Sequence, residues 1–147
     1  MASSDQALEN SNKWFTDGKF FDKLSSLVDI VTDSKNAVSV DDLTSYYTDG
    51  LSDILTELGL QTEIIDNRIK GGPPFLIGKR IESSELKTIL LYGHGDTVPL
   101  QEGQWFEEII PNELKVIGDK IYGRGVADNK GQHLINLLAL LSVLKIR

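Results

Sequence analysis

Apolar positions in the first sixty residues recur at helical spacing. Phe20, Phe21, Leu24, Leu27, Val28 and Val31 follow one another at steps of three and four, the period of an amphipathic helix. Asp41 and Asp42 open a second run through Leu43, Tyr46, Tyr47, Leu51, Ile54, Leu55 and Leu58, interrupted by Gly50 and with Gly59 as its C-terminal stop. From Gln61 the pattern changes to short β-rich pieces. Thr62 to Ile65 is one, and Phe75 to Ile77 is another, after the turn-forming Gly71-Gly72-Pro73-Pro74. Thr88-Ile89-Leu90-Leu91-Tyr92 is nearly all apolar, the pattern of a central strand buried on both faces. Glu113 to Tyr122 reads as a hairpin turning at Gly118-Asp119, and a last helix runs from about Asn129 to the final residue. No internal repeat is visible. Helices, then mixed strands, then a helix predict the α/β class: an α/β/α sandwich with a central mixed sheet.

That last helix is apolar on most of its circumference, with Leu134, Ile135, Leu137, Leu138, Leu140, Leu141, Val143, Leu144 and Ile146. Such a helix is expected to need cover on more than one side. We therefore expect residues 1–147 to be the N-terminal part of something longer, with no second domain within this stretch. As a helix from Gly131 to Ile146 it would span only about 24 Å against the roughly 30 Å of a hydrocarbon core. Asn136, Ser142 and Lys145 also interrupt it. A buried core helix is the better reading.

Composition narrows the classes. The chain has 147 residues, no cysteine and a net charge of −7. Hydrophobic residues at 40% and charged residues at 25% are ordinary globular values, which argues against disorder. Without cysteine there is no disulfide framework, Cys-type zinc finger, iron–sulfur cluster or thiol catalysis. An acidic balance argues against nucleic-acid binding, which needs a basic face. Met1 to Gln6 carries no basic segment leading into an apolar run, so no secretory signal is read and cytoplasmic placement is the default expectation.

Two segments carry candidate chemistry. Gly93-His94-Gly95-Asp96-Thr97-Val98-Pro99 follows the predicted central strand, and function often sits at the carboxyl ends of strands in α/β sheets. Residues two apart in extended chain point to one side, about 6.6 Å apart, so His94 and Asp96 share a face. A histidine with a carboxylate beside it suits a metal ligand whose second ring nitrogen is held by the acid. The plainer alternative is a hydrogen-bonded loop histidine and an Asx-turn aspartate before Pro99. Ile121 to Gly131 is the second segment, IYGRGVADNKG. Gly123-x-Gly125-x-x-Asp128 puts a carboxylate where the dinucleotide fingerprint has its third glycine, and no Walker lysine motif is present, so nucleotide binding is rejected. Asp128 or Asn129 as a helix cap is the alternative to Asp128 as a metal ligand whose two oxygens span two cations.

Gly93-His94-Gly95-Asp96-Thr97-Val98-Pro99, then Trp105, then Tyr122-Gly123-Arg124-Gly125-x-x-Asp128-x-Lys130-Gly131 closely resembles the M20 metallopeptidases. That group includes aminoacylases, acetylornithine deacetylase, succinyl-diaminopimelate desuccinylase, dipeptidases and glutamate carboxypeptidases. The resemblance covers roughly residues 85 to 135. It implies that His94 is a ligand of one zinc, that Asp96 clamps its imidazole as part of the catalytic machinery, and that Asp128 bridges two zinc ions, with a cis peptide between Asp128 and Asn129. The implied reaction is hydrolysis of an amide in a small peptide or N-acyl amino acid, two zinc ions activating a water and a glutamate shuttling the proton. A homodimer is compatible with the family; nucleic acid and membrane are not expected partners.

The resemblance also implies a general-base glutamate and further ligands beyond Arg147. Glu107-Glu108 lies upstream of the Gly-Arg-Gly motif and is assigned an ordinary surface role. His133 follows Asp128 by five residues, about 140° around a helix, and is expected to pack or meet solvent rather than join the site. Lys130 is read as structural, and Arg124 as a brace of its loop. Catalytic zinc normally keeps three protein ligands, and here the matched direct ligands are His94 and Asp128. The expectation is a chain that alone binds zinc weakly and hydrolyses nothing. A non-catalytic protein that keeps the scaffold is the competing reading.

Overall fold

A computed structural model describes residues 4–34, 40–106 and 108–146. Helix α1 (Ser4–Thr16) leads into α2 (Lys19–Asp29). A continuous helical segment follows: α3 (Val40–Ser45), a π-helical turn (Tyr46–Leu51) and α4 (Ser52–Glu57). Strands β1 (Gln61–Ile65) and β2 (Phe75–Lys79) come next, then β3 (Lys115–Ile117), β4 (Lys120–Tyr122) and α5 (Lys130–Leu144).

The core is helical. In α2, Phe20, Leu24, Leu27 and Val28 form one buried stripe at the predicted spacing. It packs with Tyr46, Leu51, Ile54, Leu55 and Leu58 of the second segment and with Leu134, Leu138 and Leu141 of α5. Gly50 does not break that second segment; it lies within the π-helical turn. A Cβ there would come within 3.0 Å of Leu27 and 3.3 Å of Ile30, so the missing side chain lets α2 approach closely. Gly59 ends α4 with φ of 68°, a conformation open to glycine.

The hairpin expected within Glu113–Tyr122 forms, and the two β-rich pieces predicted before it become strands that pair with each other. β1 pairs antiparallel with β2, Ile65 opposite Phe75, and β3 pairs antiparallel with β4, Ile117 opposite Lys120. The molecule is thus a mixed α/β chain, but the sheets among the described residues are these two separate two-stranded antiparallel ones rather than one central mixed sheet. Thr88–Tyr92 corrects the prediction made for it. The run forms no strand, and Ile89, Leu90 and Tyr92 are 83%, 91% and 78% exposed. A β-prone run becomes a buried strand only where neighbours pair its backbone and cover its faces, and neither β1–β2 nor β3–β4 does so. Helix α5 departs similarly. It is covered along one stripe by α1, α2 and α4, while Ile135 and Val143 are exposed.

Candidate metal centre

Two loops converge beside the N-terminus of α5. The segment after α2 runs next to the Gly93–Pro99 loop in a short parallel bridge between Asp33 and Thr97. Ser34 N donates to Thr97 O at 2.8 Å, and Thr97 N donates to Thr32 O at 2.8 Å. Thr32 Oγ1 adds a bond to Gly95 O at 2.6 Å. The glycines on either side of His94 are required by what lies behind them. A Cβ on Gly93 would fall 2.6 Å from His133 Cβ, and one on Gly95 would fall 2.7 Å from the Tyr46 ring. At Gly131, a Cβ would collide with the Val126 carbonyl oxygen, so the second loop folds tightly onto the start of α5.

The structure brings the three predicted residues together. His94 Nδ1 lies 3.0 Å from the Asp96 carbonyl oxygen and 3.2 Å from Asp96 Oδ1. On the other side of the ring, His94 Nε2 lies 3.1 Å from Asp128 Oδ1. Since Nδ1 faces oxygens that only accept, it carries a proton. A second acceptor at Nε2 then favours a protonated ring. Partial burial opposes that charge, but the Asp96 carbonyl, the Asp128 side chain and the two negative charges outweigh it and raise the His94 pKa above the usual imidazole value.

The geometry also suits a cation at Nε2. Zinc bonds of about 2.0–2.1 Å in a tetrahedral arrangement separate neighbouring ligand atoms by roughly 3.3 Å. The 3.1 Å between Nε2 and Oδ1 is of that size. Asp96 lies across the ring from Asp128, at the nitrogen that an orienting acid holds when the other binds metal. Among the described residues no group of three or more His, Asp or Glu side chains is placed to hold one ion.

The plain cap reading fails for Asn129. It stands at the N-cap of α5 without a side-chain cap hydrogen bond. Its Oδ1 instead accepts from His94 N at 3.0 Å. The peptide bond between Asp128 and Asn129 is cis. Lys130 is structural, as read: it is buried, and Nζ donates to Leu27 O at 2.8 Å and Ile30 O at 2.6 Å at the end of α2. Arg124 braces its loop, donating to Leu100 O at 3.1 Å and lying over the Trp105 ring. Trp105 Nε1 donates to the same carbonyl at 2.8 Å. Glu108 is exposed, and Glu107 lies outside the described residues.

Tyr46 and His133 were not singled out for this site by sequence. Their signal was weak: Tyr46 is one apolar-phase residue among seven, and the period that placed His133 away from Asp128 said nothing of what it would touch. His133 does pack, with Nε2 2.5 Å from the Tyr46 hydroxyl. A cavity of about 770 Å³ between α1, α2, α4 and α5, lined by Trp14, Lys23, Asp53 and Lys145 among others, includes none of the three candidate residues.

A histidine and an aspartate meet on converging loops, with a second aspartate on the far side of the imidazole, and comparison with known proteins gives what the chain is similar to. Residues 90–145 match peptidase family M20/M25/M40. The chain is 33% identical over 125 residues to acetylornithine deacetylase of Aliivibrio fischeri (strain MJ11), covering 85% of this chain and 32% of the relative. It is 35% identical over 89 residues to the Beta-Ala-His dipeptidase of Mus musculus, covering 54% and 18%. With the Cys-Gly metallodipeptidase of Candida albicans it shares 34% over 84 residues, covering 56% and 17%. Over residues 90–145 the chain is thus similar to peptidase family M20/M25/M40, and it spans a third or less of the length of these relatives.

Proposed function

We propose that this chain carries part of the catalytic centre of a zinc-dependent amidohydrolase that cleaves an amide bond in a small peptide or an N-acyl amino acid. The observation that supports it most directly is the approach of His94 Nε2 to Asp128 Oδ1 at 3.1 Å, across two loops that both belong to the family-matched stretch. His94 and Asp128 would hold zinc, which when bound supplies a Lewis acid that polarises the scissile carbonyl and activates water. Asp96 holds the Nδ1 proton and so leaves the Nε2 lone pair for the ion. The oxygens of Asp128 are exposed and available to a second cation. We assign residues 1–147 to one partial catalytic domain, with cytoplasmic placement. No helix among the described residues is long and apolar enough to cross a membrane.

With two direct ligands where catalytic zinc normally has three, the 147-residue chain is expected to bind zinc weakly and to show no turnover. Equilibrium dialysis should find zinc bound with modest affinity and released by His94→Ala. A panel of dipeptides and N-acyl amino acids tested on a longer product, one that spans the relatives' full length, should reveal hydrolysis that the same substitution abolishes. Zinc uptake unaffected by His94→Ala would remove the basis of the assignment. The competing reading, a non-catalytic protein on a peptidase scaffold, draws on the lack of a three-residue His/Asp/Glu cluster among the described residues. A zinc-replete longer product inert towards the whole panel would favour it.

A further inference from the structure

A run of polar groups, buried at Tyr46 and His133 and half-buried at Asn129, lies behind the His94 loop, and the proton on each link is set by its neighbour. Its fixed point is the backbone amide of His94, a group that can only donate. That amide meets Asn129 Oδ1 at 3.0 Å, while Asn129 Nδ2 donates to Gln132 Oε1 at 2.6 Å, so the carbonyl end of Asn129 faces the loop. The same Oδ1 lies 3.2 Å from His133 Nδ1. An oxygen that only accepts requires Nδ1 to carry hydrogen. His133 Nε2 is then a bare acceptor, and the Tyr46 hydroxyl 2.5 Å away donates to it. Tyr46 and His133 are 0% and 8% exposed. Burial, with smaller contributions from the positive charges of His94 and Lys130, pushes the His133 pKa down to about 4. Burial raises that of Tyr46, so both groups stay neutral around pH 7.

We propose that Tyr46, His133 and Asn129 form a positioning relay that fixes the backbone of His94 and thereby the aim of its ring at Asp128. Tyr46 and His133 lie outside both family motifs, and they are the surfaces on which Gly93 and Gly95 rest. The relay therefore acts twice on one loop, by contact and by hydrogen bond. Its bearing on metal binding rests on the zinc reading above; its existence as a relay does not.

Three measurements on the 147-residue chain test it. Nitrogen-15 shifts of the His133 ring in the unaltered protein should report hydrogen on Nδ1 and none on Nε2; the opposite tautomer overturns the proposal without any substitution. His133→Leu removes both hydrogen bonds, whereas His133→Asn keeps an N–H at the Nδ1 position. In the leucine variant the His94 amide should exchange with solvent at least about tenfold faster, the scale expected for losing a buried polar partner. Its affinity for zinc, added alone, should fall in parallel, and the asparagine variant should recover both. Unchanged exchange in His133→Leu, or equal losses in the two variants, refutes the relay and leaves only packing. Should amides within α5 show that His133→Leu is unfolded, Tyr46→Phe takes its place. It must raise exchange at His94 relative to α5, and no change there refutes the relay. An unaltered chain that protects the His94 amide yet takes up no zinc contradicts the zinc reading alone.

Discussion

Lys130 stands two residues beyond Asp128 with its ammonium in the interior. Nζ serves two carbonyls at the end of α2 and lies 5.0 Å from the centre of the Tyr46 ring. Burial lowers its pKa to about 8, with Asp29 acting in the opposite direction, so it remains charged at pH 7. Lys130→Met keeps the bulk but strands both carbonyls, and urea denaturation should show a loss of about 3 kcal/mol. His133 gives a pH prediction. Above its ordinary value of 6.5 the ring is neutral in both folded and unfolded chains. As pH falls towards its folded value of about 4, only the unfolded chain takes up the proton, and stability drops by up to roughly 3 kcal/mol. His94 shifts the other way, its contribution present at low pH and lost as pH rises through its raised value. The difference between wild type and His133→Leu isolates the His133 part, and denaturation curves at pH 7 and pH 4.5 should show the gap. His94 and Asp96 were legible in sequence because alternation in extended chain puts them on one side. The Tyr46–His133 contact was not, since it joins positions 87 apart that no local period relates.

Elements divide in the same way. Helix α2, the strand pieces β1 and β2 and the β3–β4 hairpin follow from short-range pattern: a stripe at steps of three and four, β-rich runs beside Gly71–Pro74, and a turn at Gly118-Asp119. Their apolar faces or turns are complete within a few residues, so local reading suffices. Thr88–Tyr92 is different because a strand is defined by its partners. Its apolar content signals a demand for cover without supplying any. Leu90, at 91% exposure, gives the discriminating substitution. Leu90→Lys should change the unfolding free energy by less than about 0.5 kcal/mol, as at other exposed sites. It should also reduce self-association measured by sedimentation velocity, because an extended, uncovered apolar run invites pairing between copies. A loss of several kcal/mol would instead show that the run is buried in solution.

Across the whole molecule, the helices α2, α3–α4 and α5 form the core, and the loops carrying His94 and Asp128 are tied to it by Lys130, Thr32 and Asn129. Ion binding should therefore be linked to global stability. Zinc in excess should raise the melting temperature with concentration, approaching about 2.7 kcal/mol of added stability at a hundred times the dissociation constant. Calorimetry on His94→Ala should show no such rise. The amino-acid sequence by itself determined the helical segments, the strand pieces with the β3–β4 hairpin, the M20 motifs and the residue types able to bind a cation, because each of these is written in spacing or identity along the chain. The tertiary structure alone decided that the His94 ring meets Asp128 across two loops, that Tyr46 and His133 stand behind them, and that Thr88–Tyr92 is left uncovered. Those outcomes depend on which distant segments approach one another, and hydrogen-bond direction and burial are properties of such approaches rather than of any single stretch of chain.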